Sequence, residues 1–205
     1  MFRSVLVAGA VAAWSASSAL AVSLDLGLGA HTPTTQLSFA VGGYTMTVSA
    51  VTTDAAGNQT GTALIGQYGK YKHGANQGGI GVTNAAGDAH EIDGSGAAKD
   101  MLILTFDKPV KLISASFSLV DSNDNASFFV GGAGSPLLGV LNLAAHPTLV
   151  MLDAIGKVFG FSAADNNDNY KLRSIEISAI PVPPAAALLG TGLLGLLWTR
   201  RRRLR

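Results

Sequence analysis

Between residues 22 and 180 no stretch carries a 3.6-residue apolar stripe; where apolar side chains recur, they do so at every second position. The clearest run is Lys111–Leu119. There Ile113, Ala115, Phe117 and Leu119 alternate with Ser114, Ser116 and Ser118, so one face reads as apolar and the other as wet. That pattern belongs to an antiparallel sheet with one buried side. Met101–Phe106 (MLILTF) reads as a more continuous apolar strand, and Asp107-Lys108-Pro109 as the turn into Val110. Gln36–Val41 and Tyr44–Ala50 flank Gly42-Gly43 as a hairpin. Ala126–Val130 and Lys157–Ser162 read as further strands, and Tyr170–Ala179 closes the domain. In that last run Tyr170 and Leu172 share one phase while Ile175, Ile177 and Ala179 share the other, which calls for a bulge near Arg173-Ser174. Residues 52–100, rich in Gly, Ala, Asn and Asp, predict long loops with short strands. The expected fold is all-β: an antiparallel β-sandwich, jelly-roll-like, of about eight strands.

The two ends differ from this body. Residues 1–21 read as a signal peptide: Arg3 supplies the positive start, Val5–Trp14 the apolar stretch, and Ala19-Leu20-Ala21 a small-residue cleavage site. A mature start at Val22 follows. Residues 180–205 have a second three-part layout. Pro181, Val182, Pro183 and Pro184 form a proline knot, Ala185–Trp198 carries no charge, and Arg200, Arg201, Arg202, Arg203 and Arg205 form a basic cluster. Proline cannot enter a helix interior, so the knot separates the apolar segment from the body. A helix over 185–199 extends about 22 Å, short of the ~30 Å hydrocarbon core. Snorkelling arginines and local thinning close part of that gap. The positive-inside rule keeps the arginines cytoplasmic and the body outside. The domain plan is a signal peptide at 1–21, an extracellular β-sandwich at 22–179 and a sorting tail at 180–205.

The overall net charge of +1 hides a segregation of charge. All 13 acids and only eight of the 14 bases lie within 22–180, giving that segment a net of −5. A nucleic-acid partner needs a basic surface on the folded part, so none is expected. Cysteine is absent, which excludes a disulfide framework, a Cys-ligated zinc site and a thiol nucleophile.

The tail resembles a PEP-CTERM sorting signal, on its proline motif, its Leu/Ala/Gly helix with the run Gly190–Leu196, and its terminal arginines. The resemblance implies export by a Gram-negative bacterium that makes extracellular polysaccharide. It also implies recognition by an integral-membrane exosortase that cuts near Pro181, Pro183 and Pro184. The family signature has Glu between two prolines, and this chain has Val182 there. A pattern within the body is also similar to domains found upstream of such tails. It comprises Gly79-Ile80-Gly81-Val82, Glu91-Ile92-Asp93, the strand Met101–Phe106 and Asp107-Lys108-Pro109-Val110. That second resemblance implies an extracellular β-sandwich and no particular chemistry.

An internal echo is present. Residues 117–125 (FSLVDSNDN) match residues 161–169 (FSAADNNDN) at Phe, Ser, Asp, Asn, Asp and Asn. Each copy is a strand end entering an Asx-rich loop. One reading is turn chemistry, since Asn and Asp bond nearby backbone and tolerate left-handed conformations. The other is calcium, with oxygen ligands from Asp121, Asn123, Asp124, Asn125, Asp165, Asn167, Asp168 and Asn169.

Enzyme signatures are missing. There is no G-x-S-x-G elbow, no H-E-x-x-H, no dinucleotide loop and no phosphate loop. His31, His73, His90 and His146 are scattered singly. His90, Glu91, Asp93 and Asp100 are the candidates for an acid/base or metal cluster. Tyr68, Tyr71 and Lys72 near His73 are candidates for a sugar-stacking face. The leading expectation is a non-enzymatic cell-surface or extracellular-matrix protein with no catalytic residues. It reaches the membrane through the Sec translocon and signal peptidase, is processed by an exosortase, and is structural or adhesive in exopolysaccharide and biofilm. The alternatives are a carbohydrate-binding module, with or without calcium, and a secreted glycan-active enzyme.

Overall fold

In a computed structural model of the chain, the described residues are 20–29, 31–68, 78–85, 88, 90–94, 98–144 and 148–180. The signal peptide up to Ala19, the motif Pro181–Pro184, the helix 185–199 and the arginine cluster lie outside them, as do Tyr71, Lys72, His73 and His146. Leu20–Ile180 forms one compact unit. Among the described residues no helix is long and apolar enough to cross a membrane.

The unit is all-β, and every strand pairing is antiparallel. Its strands are β1 (Ala21–Asp25), β2 (His31–Thr34), β3 (Gln36–Val41), β4 (Tyr44–Thr53), β5 (Gln59–Tyr68) and β6 (Gly79–Thr83). They continue with β7 (Ile92–Asp93), β8 (Lys99–Ser118), β9 (Asn125–Val130), β10 (Leu137–Asn142), β11 (Thr148–Ala163) and β12 (Asn169–Ala179). The hydrogen-bonded order is β1-β12-β6-β5-β4-β8-β11-β9-β10, and a further β12–β8 pairing closes β8, β12, β6, β5 and β4 into a five-stranded barrel. The expected all-β antiparallel class is met. The strands are joined in one closed ring with extensions, where the sequence reading pictured two stacked sheets.

The 20-residue strand β8 makes the closure. Along one edge it pairs with β11. Along the other it pairs with β4 over Lys99–Phe106 and then with β12 over Val110–Ser118. Asp107-Lys108-Pro109, read from sequence as a turn, is strand at the change of partner. None of the three has a ladder partner among the described residues, so Pro109 removes no ladder hydrogen bond there.

Two bulges set which face is buried. On β8 both neighbours skip Ile113, so the core face passes from Val110 and Leu112 to Ala115 and Phe117. Ile113 leaves the face that strict alternation assigned to it, and Leu112 takes its place. On β12 the expected bulge is present: the register shifts between Leu172 and Ser174. The serine face is not wet either. Ser114, Ser116 and Ser118 are buried, and they bond Glu176, Ser174 and the Gly78 carbonyl respectively. Gly42 and Gly43, at φ 57° and 81°, form the β3–β4 hairpin turn.

The core is aromatic at one end. Phe117 meets Phe161 and Tyr170 edge-on at 5.7 and 5.4 Å, and Phe128 packs on Phe159 and Phe161. Phe117 and Phe161 are the first residues of the two echo copies, so the echo meets itself inside the barrel.

Candidate functional site

The two Asx loops lie against each other with reciprocal bonds. Asp124 is buried and accepts from its own loop at Asp121 N (2.7 Å) and from the other at Asn169 N (3.0 Å). Asp168, equally buried, accepts from Asp165 N in its own loop and from Asn125 N in the other (2.8 Å). Each carboxylate therefore holds the amide three residues before it and the amide that follows its counterpart. Asp121 caps Asn123 N at 3.0 Å, and the side-chain amide of Asn125 donates to the Asn123 carbonyl. The Asn123 and Asn167 side chains meet between the loops. Burial pushes the Asp124 carboxyl up, against the pull of the Asp121 and Asn169 amides.

This geometry uses the eight Asx residues as a two-loop clasp. All four oxygens of Asp124 and Asp168 face backbone N–H groups. Among the described residues no three His, Cys, Asp or Glu side chains converge as metal ligands would.

A second polar cluster forms where the Glu91-Ile92-Asp93 segment crosses β6. Val82 N donates to the Glu91 carbonyl at 3.4 Å, and Gly81 lies so close to the His90 carbonyl that a Cβ has no room. The glycines of Gly79-Ile80-Gly81-Val82 thus serve a close backbone approach. His90, held at φ 61°, stacks on Tyr68 with ring centroids 5.3 Å apart. Its Nδ1 contacts the Thr83 hydroxyl, and its amide donates to Asp88 at 3.2 Å. The Lys171 ammonium sits over the same Tyr68 ring at 4.8 Å. Burial lowers the Lys171 pKa, with the Glu91 charge opposing, and burial raises Glu91. Tyr68, proposed from sequence as a sugar-stacking ring, is thus already packed against an imidazole and an ammonium.

Asp100 belongs to the interior. It has no exposed surface, accepts from the Asn84 amide at 2.8 Å and from Asp93 N at 3.4 Å, and is pushed by burial to about 7. A glycosidase needs two carboxylates flanking a substrate. Glu91 and Asp93 are partly exposed, but Asp100 cannot reach one here. Tyr170 adds a buried hydroxyl with no hydrogen-bond partner among the described residues. Burial raises its pKa well above the usual value, and Asp168, Asp124 and Asp100 raise it further.

Sequence reasoning missed Lys171 and Asn84. Lys171 had a signal: it is a cation between Tyr170 and Leu172 in an apolar strand, where only a buried partner explains it. Asn84 had none, because its role depends on a contact 16 residues away. Thr83 and Asn84 also line an uncharged groove of about 430 Å³ with Pro33, Thr35, Thr62 and Leu64. Comparison with protein-family models, with curated proteins and with solved structures finds no match to this chain.

Proposed function

We propose that the chain is an exported cell-surface or extracellular-matrix protein without enzymatic activity. Its barrel is the working body, structural or adhesive in an exopolysaccharide layer. The signal peptide at 1–21 delivers it through the Sec translocon. The tail at 180–205 holds it in the inner membrane through a short helix until an exosortase cuts near the proline motif. The jelly-roll likeness and the flanking transmembrane helix belong to this same reading. The observation that carries it is the pairing of the body's two ends. Ala21 pairs with Ser178 and Val22 with Ile177, so both flanking segments join the barrel at neighbouring strands. Removal of both flanks leaves Val22–Asp25 and β12 still paired.

Intact-mass measurement of the extracellular protein tests this. The expected mass lacks residues 1–21 and everything beyond the proline motif. Recovery of Arg205 on extracellular protein refutes the sorting step. Deleting Arg200–Arg205 is expected to leave unprocessed precursor, and normal processing of that variant removes any role for the basic cluster.

A second reading, a carbohydrate-binding module, rests on the groove. The hydroxyls of Thr35 and Thr62 suit sugar hydroxyls, while Thr83 and Asn84 are already engaged by His90 and Asp100. Glycan binding that Thr62→Val weakens by tenfold or more supports it; binding unchanged by that substitution removes the groove from consideration.

A further inference from the structure

We propose that the edge of β11 over Thr148–Met151 is a self-association site, pairing antiparallel with the same edge of a second copy about a two-fold axis through Val150. Strand β11 is paired on both edges only over Phe159–Ser162, where β9 joins it opposite β8. Over Thr148–Met151 its one strand partner among the described residues is β8, in regular register. The other edge presents backbone N–H and C=O groups in the spacing that only another strand satisfies in full. Natural edges are guarded by lysine, proline, bulges or inward charges. Thr148–Met151 reads TLVM and has none of these within it; the bulge at Leu152 and Asp153 ends it.

The side chains agree with the backbone. Leu149 and Met151 are 65% and 67% exposed, more than any other large apolar side chain on a described strand. Both stand on one face, since they oppose Ser116 and Ser114. With Val150 on the axis, Leu149 of one copy lies opposite Met151 of the other, and the reverse. Two apolar cross-strand pairs then cover each other on that face.

The self-complementary pairing of Leu149 with Met151 selects a second copy as the partner, and charge does not oppose it. From Asn125 to Leu152 the chain has no Asp, Glu, Lys or Arg, although 22–180 as a whole is net negative by five. Two like-charged bodies repel except where neither presents charge. The nearest acid after the edge, Asp153, is engaged by Lys111 at 2.5 Å. In this pairing the two copies of Asp153 stand about 20 Å apart at 3.3 Å per residue, beyond the ~8 Å screening length. A four-residue edge buries less than the ~1,200 Å² of a stable interface. The association is therefore transient in dilute solution and grows where copies are concentrated on one surface.

The inference uses only β8 and β11, so it stands or falls apart from the export reading. The absence of cysteine allows single thiols to report it. Full-length Leu149→Cys and Met151→Cys proteins in mild detergent are oxidised separately and as an equimolar mixture. Opposed strand residues lie within disulfide range. The mixture is expected to yield at least fivefold more cross-linked dimer than either alone. Leu149→Lys is expected to reduce the dimer at least tenfold in sedimentation, with an unchanged melting curve. Adding Met151→Glu restores it, because the introduced ammonium and carboxylate then face each other across the axis. Equal yields from mixture and single variants, a higher yield from Val140→Cys on the β10 edge, or a dimer untouched by Leu149→Lys overturns the proposal.

Discussion

Asp124 and Asp168 each leave two amides stranded if removed. For Asp124→Ala those amides belong to Asp121 and Asn169, one in each loop. A buried group left unpaired costs about 1–3 kcal/mol, so a loss of roughly 2–6 kcal/mol is expected from urea unfolding. Asp124→Asn keeps one accepting oxygen and should lose about half as much. Because the carboxylates are already satisfied by amides, the melting temperature should be the same with calcium and with a chelator. A rise of several degrees with calcium would favour the ligand reading. Asp100 gives a pH signature. Its folded carboxyl titrates near 7 against 3.8 unfolded, so the folded state keeps the proton through that window. Its contribution is full below about pH 4, declines as pH rises and is gone above 7. A three-unit shift corresponds to on the order of 4 kcal/mol. Glu91 and Asp124 are also raised and act with the same sign. Asp100→Asn should therefore flatten, without abolishing, the fall in stability between pH 4 and 7. An unchanged slope there would clear Asp100 of any part in it.

At the scale of elements, β8 decides the architecture by changing partner at Asp107–Pro109. Pro109→Val should change stability by less than about 1 kcal/mol, because no ladder bond is at stake there. Leu104→Pro, between β4 and β11, should cost about 3 kcal/mol or more and show as insoluble or unfolded protein. The same strand shows what a sequence reveals. Its two apolar runs were legible because alternation survives in each. Their union into one strand was not, since proline with two charges reads locally as a turn. The bulge at Ile113 was hidden because Leu112 and Ile113 are interchangeable to a hydrophobic pattern. The bulge on β12 was visible because the polar pair Arg173-Ser174 sits where the phase changes. Strand β5 (QTGTALIGQY) was passed over because its glycines, threonines and glutamines resemble loop composition; its core face is supplied by Ala63 and Ile65. In the candidate site, the echo in the sequence marked the two Asx loops, but nothing in it told that they would meet or whose amide each aspartate would hold.

For the molecule as a whole, the first strand is a test of what the body needs. A chain starting at Val22 should melt within a degree or two of one starting at Leu20, since only the Ala21 pairing is lost. A chain starting at Gly27 should lose several kcal/mol. It lacks the β1 ladder and Leu26, which is fully buried, donates to the Arg173 carbonyl at 2.7 Å and accepts from Gln67. Circular dichroism melts of the three chains distinguish these outcomes.

The closing strand comes last. Strand β12 pairs with β1, β6, β7 and β8, whose residues have all been made long before it. Synthesis or translocation from the N-terminus therefore reaches about residue 170 with the ring still open, and contacts this distant in sequence form slowly. Until then the polypeptide stays threadable and protease-sensitive. Folding is in effect timed by the arrival of its final eleven barrel residues.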